Sequence, residues 1–200
     1  ALAERAEGAD IASLVNAARV SADGVSGTVE AILGISAMHA DGSDPEIAEF
    51  DIADLLDHSR DQFAAQAANK GLEFRIVPCA LRVRSDRLLL QRVLDCLISN
   101  AIRHTENGRV LLGCRRLSDM LRIGVLDTGP GLDEQTLARI SGSAEQDGSQ
   151  SKWRSQALRL SIAEILCAAL GHEMSVTSDA GTAVWVHLSL ASTPSATGKP

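Results

Sequence analysis

Asp127-Thr-Gly-Pro-Gly131 follows an apolar, strand-like run at residues 120–126, and this stretch decides how the chain is interpreted. A carboxylate at the end of a strand can accept a hydrogen bond from a ligand amine. The glycines after it have no Cβ, so their backbone can approach a flat ring closely. The segment therefore predicts a pocket for a planar ligand that carries an amine.

A second motif, Asn100-Ala-Ile-Arg-His104, lies upstream at the end of a segment with helical periodicity. Its Asn100 supplies an amide oxygen, which is a hard ligand suited to the Mg²⁺ that accompanies nucleotides. Together the two motifs predict a pocket for ATP.

Composition excludes several classes of function. The formal charge of −7, with two Trp, three Phe and no Tyr, argues against a nucleic-acid surface. No apolar run approaches the ~20 residues of a membrane span, so we expect a cytoplasmic fragment without membrane contact. The four cysteines lack metal-ligand spacing and are expected to be small buried hydrophobes: Cys79, Cys96, Cys114 and Cys167.

Residues 1–45 carry an apolar stripe with alternating spacings of four and three, which predicts one long helix of a bundle. The stripe comprises Ile11, Val15, Ala18, Ala22, Val25, Val29, Ile32 and Ser36. One helix cannot bury its own stripe, so we expect partner helices from an upstream segment or from a second copy. The chain begins without a Met and is interpreted as part of a longer protein.

Residues 46–190 are predicted to form an α+β domain, and residues 191–200 a disordered tail. Asp51 and Ser85 are the expected N-caps of the first two helices, and Lys70-Gly71 is the expected stop of the first. The predicted strands span residues 72–77, 81–83, 110–116, 121–127, 173–178 and 182–190. A short helix is expected at 133–140, a mobile loop at 141–155 and a third long helix at 157–170.

This order of elements resembles the ATP-binding domain of bacterial sensor histidine kinases, within the superfamily that includes gyrase, Hsp90 and MutL. The resemblance rests on Asp127 to Gly131, the Asn100 helix, the lead-in Arg84-Ser85-Asp86 and the closing Gly181-Thr182. It implies a two-layer α/β sandwich, preceded by one long helix of a dimerisation bundle.

The resemblance also implies roles for individual residues. Asn100 would hold the Mg²⁺ that bridges the ATP phosphates, and His104 would lie near those phosphates. Asp127 would accept a hydrogen bond from the adenine amine, and Gly129 and Gly131 would shape the wall of the pocket beside the adenine ring. Thr182 would support the Asp127 carboxylate through a water.

Two departures from the family pattern bear on the chemistry. Cys96 stands one turn before Asn100, where gyrase-like ATPases carry a glutamate base, and a thiol neither activates water well nor binds hard Mg²⁺. The lid glycines of the family are replaced by Ala157 and Arg159, which predicts a degenerate lid. Lys152, Arg154 and Arg159 are then candidate phosphate-binding cations.

None of the five histidines has the sequence context of a phosphoacceptor, so the acceptor is expected upstream of Ala1. The first interpretation is a histidine-kinase core that works in a two-component phosphorelay with a response regulator receiver domain, as a homodimer through the bundle helix. The second is a pseudokinase scaffold that docks a response regulator or a partner kinase. A gyrase- or MutL-like ATPase is disfavoured by Cys96. Membrane tethering through upstream segments remains open.

Overall fold

A computed structural model describes residues 44–118, 120–134, 137 and 151–191, with the backbone alone over 151–158. Its elements in chain order are β1 (Ala48–Asp51), α1 (Ile52–Asn69), β2 (Glu73–Ile76), β3 (Arg82–Ser85), α2 (Arg87–His104), β4 (Arg109–Leu117), β5 (Met120–Asp127), α3 (Ser151–Ala169), β6 (Glu173–Ser178) and β7 (Thr182–Ser189). The predicted α+β class is confirmed. The long helix expected within residues 1–45 and the tail expected beyond residue 191 lie outside the described residues.

Five strands form one mixed sheet in the order β2-β4-β5-β7-β6. The β2 and β4 strands are parallel, and the remaining neighbours are antiparallel. In this register Asp127, the last residue of β5, lies opposite Thr182, the first residue of β7. The sheet thus joins two motifs that are more than fifty residues apart in the chain. The β1 and β3 strands pair separately as a small antiparallel sheet.

The three helices pack on one face of the five-stranded sheet, as a two-layer sandwich requires. Alternate strand residues such as Val110, Leu112 and Ile123 point towards the helices and are fully buried. From the helices, Leu94, Ile98 and other apolar residues close the core. None of the helices within the described residues combines the length and apolarity that a membrane span requires.

The predicted caps are partly corrected. Asp51 is the N-cap residue of α1, although its side chain makes no capping hydrogen bond. The predicted cap Ser85 is wrong for α2, because Asp86 holds that position and its carboxylate accepts from the Leu89 N–H at 3.0 Å. Helix α1 ends where expected, since Gly71 adopts φ +74° directly after Lys70.

The third helix begins earlier than the sequence predicts. Residues 141–155 were expected to form a loop, but α3 begins at Ser151 and continues without a break to Ala169. Both glycines of the expected loop, Gly142 and Gly148, precede this start, and residues 151–157 contain neither Gly nor Pro. The strand β1 was not predicted at all, because its four residues acquire a partner only when β3 lies beside them.

Candidate nucleotide-binding site

The carboxylate of Asp127 is held by donors from two segments. The Gly129 N–H donates to Oδ1 at 2.8 Å. Thr182 lies directly opposite Asp127 in the β5–β7 register, and hydrogen bonding from its backbone and side chain also lowers the pKa of this carboxyl group. Burial raises the pKa of Asp127 above its usual value, and these hydrogen bonds oppose that rise. The group is therefore a half-buried, oriented acceptor.

The glycines around Asp127 lie where no Cβ fits. At Gly129 a Cβ would approach Asp127 Oδ1 to 2.8 Å, and at Gly131 it would meet Ser178 Oγ at 2.7 Å. Gly131 also has φ +77°, a conformation that side chains disfavour. The loop is fastened by Ser178, whose hydroxyl accepts from Leu132 N–H at 2.6 Å. Backbone packing explains both glycines before any ligand is considered.

The end of helix α2 adjoins this loop. The His104 carbonyl oxygen lies 3.2 Å from the position that a Gly129 Cβ would occupy. Asn100, one turn earlier, is only 4% exposed, and its Oδ1 has no hydrogen-bond partner among the described residues. A buried amide oxygen without a partner costs ~1–3 kcal/mol. A hard cation at this oxygen would offset that cost, so the residue fits the expected Mg²⁺.

Lys70 fixes the same helix end from the side. Its Nζ donates to the carbonyl oxygens of Ile102 and Arg103 at 2.7 and 2.5 Å. A cation at the C-terminal end of a helix also interacts favourably with the helix dipole. The contact fixes the last turn of α2, which lies between Asn100 and the loop that contains Asp127.

Arg159 lies in the interior of α3, packed against α2. Its side chain is 3% exposed, and Nη1 donates to Ser99 Oγ at 2.9 Å. The guanidinium of Arg159 is therefore bonded to Ser99, the residue that directly precedes Asn100. The side chains of the two other candidate cations, Lys152 and Arg154, lie outside the described residues.

Comparison with known proteins agrees with this geometry. Residues 85–192, more than half of the chain, match the sequence profile of the histidine kinase-, DNA gyrase B- and HSP90-like ATPase family. The chain belongs to this family. The candidate site residues Asn100, Asp127 and Thr182 all fall inside the matched region.

Among curated relatives, the histidine protein kinase DivJ of Caulobacter vibrioides is 29% identical over 84% of this chain, which spans 29% of DivJ. The alginate biosynthesis sensor protein KinB of Pseudomonas aeruginosa is 35% identical over 48% of this chain and 16% of KinB. The chain therefore spans less than a third of either relative. Both matches are to bacterial sensor or histidine kinase proteins, which agrees with the family match.

A solved structure of full-length ShkA in complex with AMPPNP superposes on this chain with a TM-score of 0.68. The match is 27% identical and covers 91% of this chain and 40% of ShkA. The two-layer sandwich predicted from the sequence is confirmed by this neighbour and by the topology described above.

Cys96 lies on α2 one turn before Asn100, where the resemblance implied a glutamate base in gyrase-like members. It is half-buried against the core. Burial, and to a smaller extent Glu164 and then Cys96, raises the pKa of the Cys167 thiol to about 12. None of the four cysteines forms a disulfide with another described residue, and no metal-ligating cluster occurs among the described residues. The expectation that the cysteines are small buried hydrophobes holds in full for Cys167 alone, because Cys79, Cys96 and Cys114 are half-buried.

Sequence reasoning missed two residues that shape the site. Ser178 ties down the glycine loop, and Lys70 caps α2, yet each acts on a segment more than thirty residues away. Neither has a local motif. Lys70 was noted in the sequence only because it directly precedes Gly71, where the first helix was expected to end.

Proposed function

We propose that this chain is the ATP-binding core of a two-component sensor histidine kinase, with the phosphoacceptor upstream of the described residues. The observation that carries the proposal is that helix α2, which carries the buried, unsatisfied amide oxygen of Asn100, ends against the loop that orients the Asp127 carboxylate. One group suits an adenine amine, and the other suits the metal ion on the phosphates.

Asp127 would recognise the adenine ring. Because Gly129 and Thr182 hold its carboxylate in one orientation, an exocyclic amine can donate to it without reordering the site. Gly129 and Gly131 would give the ring a wall of backbone.

Asn100 would hold Mg²⁺, with His104 one turn later beside the phosphates. The ion would neutralise phosphate charge, as in other phosphoryl transfers. Phosphoryl transfer depends on positioning and charge neutralisation, and these are the tasks that we assign to the two side chains.

The lid region is where we expect activity to be weak. In a glycine-containing lid, bare N–H groups and a helix N-terminus bind phosphate. Here α3 runs through residues 157–159 without interruption, and its N-terminus at Ser151 lies about two turns before Arg159. Arg159, with Lys152 and Arg154, would then supply positive charge in place of the missing backbone cradle.

The proposal is tested by calorimetric titration with ATP and ADP, with and without Mg²⁺. We expect micromolar ATP binding that Mg²⁺ strengthens, and an Asn100→Ala variant that binds ATP but no longer responds to Mg²⁺. Asn107→Ala, on the exposed turn after α2, is the matched control and should behave as wild type. Failure of wild type to bind either nucleotide would overturn the proposal.

A second candidate is a pseudokinase scaffold that docks a response regulator or a partner kinase without phosphotransfer. The continuous α3 favours it, because the backbone groups of residues 157–159 are engaged in a helix. Equal binding of ADP and ATP, indifferent to Mg²⁺, would favour this candidate. Homodimerisation through the upstream helix is part of both candidates.

A further inference from the structure

The face of the sheet opposite the helices carries a cluster of arginines. Strand alternation places on this face Arg75, Arg109, Arg115 and Arg122, with Trp185 beside them on β7. We call these five residues the arginine face. Within the described part of the chain, no helix covers it.

The charge of this face is opposite to that of the whole chain. Four arginines stand against two glutamates on the same face, Glu73 and Glu173, although the chain as a whole carries a formal charge of −7. None of the four arginines makes an ion pair with another described residue. The face therefore presents unneutralised positive charge.

Two of the arginines are placed where their charges repel each other. Arg115 and Arg122 are directly opposite in the β4–β5 register, where like charges destabilise a sheet. The Nε of Arg122 is buried and has no acceptor among the described residues. A bound carboxylate would satisfy this donor and reduce the repulsion at the same time.

Trp185 gives the face a rigid aromatic surface. Its ring lies against Gly124, where a Cβ would approach the ring to 2.3 Å, and Arg122 stacks on it at 5.1 Å from the centroid. Trp and Arg are the residues most enriched in the energetic centres of protein interfaces. Gly124 thus makes room for a preformed Trp–Arg pair.

A groove of about 310 Å³ continues the face towards β2. Its polar lining consists of Glu73, Arg75, Arg109, Asp127 and Thr128, and its apolar lining of Leu111 and Leu126. From Arg109 to Arg115 along β4 the face extends about 20 Å, since a strand rises ~3.3 Å per residue. This length suits an extended segment of about six residues.

We propose that the arginine face docks an acidic, extended segment of a partner protein. Charge complementarity selects this occupant, because a second copy presenting the same face would add repulsion. Carboxylates of the segment would lie between Arg115 and Arg122 and at the Arg75–Arg109 end, with Trp185 packing against its backbone.

The test uses the emission of Trp185 in a Trp153→Phe background, which leaves Trp185 as the single tryptophan. The probe is a dodecapeptide that alternates glutamate and alanine. We expect a saturable emission change that weakens with salt, and at least a tenfold loss of affinity in Arg115→Ala/Arg122→Ala. The same peptide with glutamine in place of glutamate should not bind.

The control is Arg60→Ala/Arg84→Ala, which removes the same formal charge from exposed positions elsewhere and should retain binding within twofold. An equal loss in both double variants, or absence of binding by wild type, would overturn the proposal. So would dimers that Arg115→Ala/Arg122→Ala dissociates in sedimentation. If that variant misfolds, Arg115→Glu/Arg122→Glu is expected to exchange the glutamate peptide for a lysine one, and failure to do so counts against the proposal.

Discussion

Burial and hydrogen bonding act in opposite directions on Asp127. The donors at Gly129 and Thr182 stabilise the ionised carboxylate, while burial destabilises it and has the larger effect on the pKa. Keeping this carboxylate ionised therefore lowers the stability of the folded state. Such a cost is typical of groups that are retained for a ligand.

Replacement of Asp127 by Asn should abolish nucleotide binding without unfolding the domain. The amide retains one oxygen acceptor, which cannot serve Gly129, Thr182 and an adenine amine together. We expect at least a tenfold loss of ATP affinity by calorimetry, with the far-ultraviolet circular dichroism spectrum unchanged. Asp179→Asn, on the exposed turn before β7, is the control. Equal affinity in wild type and Asp127→Asn would mean that the carboxylate only caps a strand end.

The raised pKa of Asp127 also predicts a pH effect on stability. A carboxyl group with a raised folded-state pKa contributes stability below its unfolded pKa of about 4, and this contribution is lost as pH rises through the folded pKa. The free energy of unfolding of wild type, relative to Asp127→Asn, should therefore fall as pH rises through that range. Urea unfolding at a series of pH values measures this difference. A relative gain by wild type would show that the hydrogen bonds outweigh burial.

At the scale of elements, α2 and α3 position the site together. Helix α2 carries Asn100 and is fastened at its end by Lys70, while α3 contacts it through Arg159 and Ser99. The site therefore depends on how two helices pack, besides the loop that contains Asp127.

Arg159→Ala should loosen this packing. The variant removes the hydrogen bond to Ser99 and leaves a cavity where a buried guanidinium lay, so we expect a loss of ~1–3 kcal/mol in the free energy of unfolding. Chemical denaturation measures this loss, with exposed Arg84→Ala as the control. If the cation also acts on the phosphates, Arg159→Ala should weaken nucleotide binding, and Arg159→Lys should retain part of that binding. Unchanged stability in Arg159→Ala would contradict a packing role.

Element prediction succeeded where the pattern was local. Helix α1 and the strand pair β4–β5 follow from periodicity and turn residues in their own segments. The predicted start of α3 is wrong because the polar composition of residues 141–155 as a whole indicates a loop. The two glycines of that segment both precede Ser151, where the helix begins. Strand β1 has too few residues for a periodic signal.

At the scale of the whole molecule, the helix expected within residues 1–45 remains a prediction. If its stripe packs in a dimerisation bundle, a protein that includes the upstream helix should sediment as a dimer at tens of micromolar, because an apolar stripe needs a partner. A fragment of residues 44–200 should be monomeric under the same conditions. Monomers in both proteins would contradict the prediction.

The sequence by itself determined the ATPase-type sandwich and singled out Asn100, Asp127 and the two glycines as candidate site residues. These follow from motifs whose residues are close in the chain and whose chemistry is specific. Only the tertiary structure decided that Thr182 lies opposite Asp127, that Arg159 is buried against Ser99, and that four arginines share one face of the sheet. The physical reason is that these contacts join distant segments, so strand register and helix packing create them.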